Sequence, residues 1–144
     1  MMEETLKKFG YPGTLIKEYQ YWSILVRLKQ VTLGSLILIC KEEVNAFSDI
    51  SVSAHKELQQ AIKDIERIIK LTFENEKINY VMLMMHDPEV HFHVLPRYSQ
   101  NKKFEEVVFK DFGWPNKPDL DKVNEVAQDM INKLALFLKE KFNA

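Results

Sequence analysis

The sequence predicts an α+β domain: a mainly antiparallel meander sheet of about five strands with two main helices packed on it. Three observations carry this. Short β-branched and aromatic runs fill the first third of the chain, and two later stretches repeat their apolar residues every three or four positions. Between those stretches lie two further apolar runs of strand length.

Residues 1–13 read as a polar lead-in closed by Gly10, Pro12 and Gly13, which favour a turn. Thr14 to Tyr19, Trp22 to Leu28 and Ser35 to Cys40 then form three sequential strands, with Leu33-Gly34 as the turn between the second and third. From Ser53 to Phe73 the residues Ala54, Leu58, Ala61, Ile62, Ile65, Ile68 and Ile69 share one helical face, and Ser51 or Ser53 supplies the N-cap. Ile78 to Met85 and Val90 to Leu95 are paired strands joined by His86-Asp87-Pro88. Residues 99–118 are polar and irregular, punctuated by Phe112-Gly113-Trp114-Pro115. A last helix runs from Leu120 to Phe142, with Asp119 as its N-cap. No linker divides the chain, so residues 1–144 read as one domain.

The formal net charge of -1 gives no broad attraction to nucleic acid or to an anionic membrane surface. Neither is expected as a partner. No apolar stretch reaches the ~20 residues needed to span a bilayer, and the N-terminus lacks a secretory pattern. The one cysteine, Cys40, sits in an apolar run and has no intrachain disulfide partner. A cytoplasmic protein is the expectation.

Chemistry concentrates in one segment. Three of the four histidines, His86, His91 and His93, lie within eight residues. Strand alternation puts Glu89, His91, His93, Leu95 and Arg97 on one face and Val90, Phe92, Val94 and Pro96 on the other. The apolar set faces the core, so the polar set forms a row on the solvent side. Such a row is read in three ways: exposed strand positions, a metal clamp of His91 and His93 with Glu89, or a catalytic pair. One straight strand does not readily surround an ion, so no metal or other cofactor is assigned.

The segment Glu89-Val90-His91-Phe92-His93-Val94-Leu95-Pro96-Arg97 resembles the signature of the histidine triad superfamily of nucleotide hydrolases and transferases. That signature alternates three histidines with apolar residues and often continues with Pro-Arg. Trp22 to Cys40, the helix after it, Asn79 to Met85 and the Gly113-Trp114-Pro115 tail are similar to the family's other blocks. The resemblance implies that His91 is the nucleophile. It would attack the α-phosphorus of a nucleoside phosphate adduct, with His93 contacting phosphate oxygens or carrying a proton. It further implies a homodimer, and a purine nucleotide or dinucleoside polyphosphate as binding partner.

The chain departs from the family pattern at two places. Glu89 stands where the first histidine is expected, and a carboxylate accepts hydrogen bonds where a histidine can donate. Leu33-Gly34-Ser35 stands where many members have Pro-Gly-His. Arg27, Ser35 and Arg97 are the nucleotide-binding residues the resemblance implies; a guanidinium at Arg27 would replace some of the lost positive charge. The expected function is a nucleotidyl hydrolase or transferase acting on dinucleoside polyphosphates or phosphoramidates. The alternative is a nucleotide-binding protein with weak or no catalysis because of Glu89, and a third, minority reading is a metal-binding module using His91 and His93. His55 and His86 are expected to be solvated, and Trp114 with Phe112 to pin a loop.

Overall fold

A computed structural model describes residues 2–144. Its elements are α1 (Met2–Lys8), β1 (Leu15–Glu18), β2 (Trp22–Val26), β3 (Leu36–Cys40), α2 (Val52–Phe73), β4 (Lys77–Val81), β5 (His91–Arg97), β6 (Lys102–Phe104), β7 (Val107–Phe109) and α3 (Gln128–Phe142). Five strands form one antiparallel sheet in the order β1-β2-β3-β5-β4, and β6 and β7 make a separate hairpin. This is the α+β architecture the sequence predicts.

The sheet is apolar on both faces at its centre. In β3, Leu36, Leu38 and Cys40 join the large core beneath α2 and α3, while Ile37 and Ile39 point the other way. Ser51 caps α2 by accepting a 3.0 Å bond from the Ala54 amide. Ala54, Ala61, Ile65, Ile68, Ile69 and Phe73 bury its apolar stripe. Trp22 links sheet to helix, its indole N–H donating to the Ala54 carbonyl at 2.8 Å. At the β2–β3 turn Gly34 has φ +82°, and a Cβ there would crowd the Phe73 ring at 3.0 Å. The buried Gln30 side chain knits this turn together. It accepts from the Gly34 and Ser35 amides and donates to the Arg27 and Ser35 carbonyls.

Four local expectations need correction. Residues 2–8 are helical, because Met2, Leu6 and Phe9 form a short apolar stripe that packs on Leu25, Ile37 and Ile39. Glu3 and Glu4 in the first turn and Lys7 and Lys8 in the last suit the helix dipole. The strand expected over Ile78 to Met85 stops at Val81, and Met84 takes φ 51° in the longer connection to β5. The region 99–118 contains the β6–β7 hairpin. The last helix begins at Gln128, with Ala127 rather than Asp119 at its N-cap position. Asn124 explains this delay: its amide donates to the Gln30 carbonyl at 2.9 Å and its side chain donates to the Gln30 and Lys110 carbonyls. These bonds hold the preceding segment extended against its helical periodicity.

Candidate active site

The row predicted from strand alternation exists, but it is not open to solvent. Glu89, His91 and Arg97 are each 3% exposed and Leu95 is fully buried. Alternation identifies which residues share a face; it does not reveal what covers that face. Here α1 lies over one end of the row and the 111–116 loop over the other.

His91 and His93 sit on β5 opposite Ile39 and Ile37 of β3. Their rings are 5.2 Å apart, centre to centre, and nearly perpendicular. His91 Nδ1 lies 2.6 Å from the Glu89 carbonyl oxygen. A carbonyl only accepts, so Nδ1 carries the proton and donates it. In the neutral imidazole the lone pair is then on Nε2, which is what a nitrogen nucleophile needs.

His93 has the opposite arrangement. Its Nδ1 is 3.3 Å from Arg27 Nε–H, a donor, so the neutral ring carries its own proton on Nε2. Arg27 follows β2 directly and is further fixed by an Nη1–H bond to the Lys29 carbonyl at 2.6 Å. Burial pushes the His93 pKa down from 6.5 to about 4. The nearby Arg27 and His91 add to this, while Asp87 opposes it. Burial also lowers the pKa of Arg27. The site therefore presents a bare imidazole nitrogen, an imidazole N–H donor and a guanidinium within one short stretch of sheet.

The lowered His93 pKa has a consequence for stability. Above pH 6.5 His93 is neutral in both folded and unfolded chains and contributes nothing. As pH falls from 6.5 toward about 4, the unfolded chain binds a proton that folded His93 refuses. Stability is then lost by up to about 1.4 kcal/mol per pH unit, less where solvent reaches the ring. Urea melts at pH 7 and pH 5 should show wild type losing more stability than His93→Gln over that interval. Equal losses would contradict the assignment.

Clefts flank the row on either side of the 86–89 turn. One, of about 380 Å3, is lined by Lys8, Phe9, Arg27, Lys29, His86 and His93 among others. The other, of about 220 Å3, is lined by Glu4, Thr5, Lys8, His86, Asp87 and Glu89 among others. The first is rich in cations and suits an anionic group. Among the described residues no three His, Cys, Asp or Glu side chains converge to hold a metal ion.

Two residues expected at this site are engaged elsewhere. Arg97 is locked to Asp111 by Nε and Nη2 bonds of 2.7 and 3.0 Å, and it also donates to Asn79 and the Asn116 carbonyl. It anchors the tail loop, and neither of these two clefts is lined by it. Ser35 is fully buried; its hydroxyl donates to the Thr32 carbonyl and accepts from the Thr32 amide. His55 is exposed on α2, 5.7 Å from the Phe47 ring. His86 is exposed in its turn, as expected, yet it lines both clefts.

Thr5, Lys8, Phe9 and Lys29 were not anticipated. Thr5 donates a 2.7 Å bond to Glu89, Phe9 packs 5.8 Å from the His91 ring, and Lys8 pairs with Asp87 at 3.1 Å. The signal for the α1 residues was the spacing of Met2, Leu6 and Phe9, which places one apolar face on the sheet and carries Thr5 with it.

The HIT domain family model matches residues 9–100. A comparison with curated proteins gives no match. Among solved structures the fold is similar to that of a histidine triad protein from Sinorhizobium meliloti 1021. The TM-score is 0.73 at 17% identity, over 96% of this chain and 93% of that one. It is similar to Plasmodium falciparum diadenosine triphosphate hydrolase, solved with cyclomarin A, at a TM-score of 0.68 and 11% identity over 98% of this chain and 95% of that one. The C. elegans NitFhit protein gives a TM-score of 0.66 and 15% identity over 90% of this chain. The chain spans only 27% of that longer protein. At these identities the likeness shows the fold.

Proposed function

On the premise that the chain belongs to the HIT domain family, we propose that it is a nucleotidyl hydrolase or transferase. Its substrates are nucleoside phosphate adducts of the dinucleoside polyphosphate or phosphoramidate type, with purine nucleotides preferred. The single observation that carries this reading is the 2.6 Å bond from His91 Nδ1–H to the Glu89 carbonyl, which leaves the Nε2 lone pair for attack. Glu89 occupies the position of the first histidine of the triad.

The chemistry proceeds in two displacements. His91 Nε2 attacks the α-phosphorus, the N–P bond forms, and the bond to the leaving group breaks with its electron pair going to the departing oxygen or nitrogen. A polyphosphate departs as an anion. An amine departs as its nitrogen takes a proton from solvent, and the Glu89 carboxylate accepts the resulting N–H bond. Water or another acceptor then attacks phosphorus and loses its proton to Glu89, which returns it to solvent and is again a carboxylate. The N–P bond breaks, and His91 is restored beside a nucleoside monophosphate or transfer product. His93 Nε2–H and Arg27 hold the phosphoryl oxygens, and Lys29 adds positive charge at the 380 Å3 cleft.

Incubation with diadenosine tetraphosphate and with an adenosine phosphoramidate should release AMP from at least one of them. One observation favours a second reading, nucleotide binding with weak or no turnover: His91 is only 3% exposed, with Phe9 against its ring. AMP binding without release from either adduct would select it.

The same reading makes residues 1–144 one domain of a cytoplasmic homodimer. Among the described residues no helix is long and apolar enough to cross a membrane. β4 lies at the sheet edge, followed by Leu83 and Met85, 51% and 81% exposed. An edge strand beside exposed apolar side chains is a template for pairing with a second copy. Sedimentation showing a monomer at every concentration would refute the dimer.

A further inference from the structure

We infer that Thr5 on α1 is a positioning residue for the proposed reaction, acting through Glu89. The inference rests on the reading that the Glu89 carboxylate receives the leaving group. Glu89 serves the site in two ways: its carbonyl fixes the His91 tautomer, and in the proposed reaction its side chain receives the departing group. The carbonyl is held by its bond to the His91 ring, but a glutamate side chain has three rotatable bonds. Something must choose one orientation, and the Thr5 hydroxyl does so with its 2.7 Å bond to Oε1. Both residues are buried, Thr5 at 7% and Glu89 at 3% exposure, so water competes poorly for that bond.

Two contacts made side by side support the assignment. Thr5 on α1 meets Glu89 just before β5 by hydrogen bond, and Phe9 just after α1 meets His91 at the start of β5 by ring contact. The helix does not depend on the hydroxyl for its seat. Met2, Leu6 and Phe9 pack on Leu25, Ile37 and Ile39, and Lys8 pairs with Asp87. Removing the hydroxyl at constant shape thus frees Glu89 while leaving α1 docked.

The test is Thr5→Val beside Thr5→Ser, each with Glu89 intact and with Glu89→Ala, using the full chain and the adenosine adduct it cleaves fastest. Thr5→Val should lower kcat about tenfold with KM unchanged, the size expected when one positioning hydrogen bond to a charged group is lost. Thr5→Ser should restore most of the rate, and in the Glu89→Ala background the two Thr5 variants should match their parent. A second readout does not need turnover: the Glu89 carboxyl 13C resonance should move in Thr5→Val and return in Thr5→Ser. An unmoved resonance overturns the inference, as does a Thr5→Val rate loss that persists at full size without Glu89. If wild type cleaves no adduct, the proposed function fails while the carboxyl resonance still decides the role of Thr5.

Discussion

His91→Ala should reduce release of nucleoside monophosphate by at least about 10^4-fold, because no other group can take over covalent attack at phosphorus. His93→Ala should cost less, on the order of 10^2-fold, since it removes one oriented donor and leaves the nucleophile in place. The contrast is the informative part. Both residues are histidines on one face of β5, their rings 5.2 Å apart, and strand alternation alone treats them alike; in the sequence only the family resemblance separates their roles. Their hydrogen bonds separate them: Nδ1 donates in His91 and accepts in His93. A reversed order of effects, with His93→Ala the more severe, would mean that the tautomer argument assigns the roles backwards. Stopped assays at saturating adduct, with melting curves to confirm that each variant is folded, decide the order.

Arg97→Ala should destabilise the chain by about 3–5 kcal/mol, the range for breaking a buried ion pair and stranding its partner. The side chains of Arg97 and Asp111 are 4% and 2% exposed, and the pair carries more than its own attraction. Asp111 also accepts from the amides of Tyr98, Gly113 and Trp114, and Arg97 reaches the Asn116 carbonyl. The guanidinium thus holds the loop that closes one end of the β5 row. Replacing both Arg97 and Asp111 should cost well below the sum of the single losses, because no unpaired buried charge remains. Urea denaturation of the two single variants and the double gives this cycle directly. A loss under about 1 kcal/mol for Arg97→Ala would show that solvent reaches the pair after all.

The periodic features were legible in the sequence. The β1–β3 meander, the α2 stripe from Ala54 to Phe73 and the alternation of β5 all follow from residue spacing and from the Ser51 cap. Features set by distant contacts were not. α1 is seven residues long with a three-residue apolar stripe, and the Gly10-Pro12-Gly13 turn signal beside it outweighed that pattern. The start of α3 depended on Asn124 bonding to Gln30, 94 positions away. The same limit applied to the site. Spacing put Glu89, His91 and His93 together, but the partners that distinguish them come from elsewhere: Arg27 beyond β2, Thr5 on α1 and Phe9 just after it. Ser35 and Arg97 were assigned by analogy with a motif, and their hydroxyl and guanidinium are satisfied inside the fold.

The most direct test of the account is to trap the nucleotidyl enzyme. Wild type mixed with excess adenosine adduct, quenched within one turnover under alkaline conditions that preserve N–P bonds, should carry one adenylyl group on the peptide containing His91. His91→Ala should carry none. Turnover without any protein label, or a label on His93, would contradict the account.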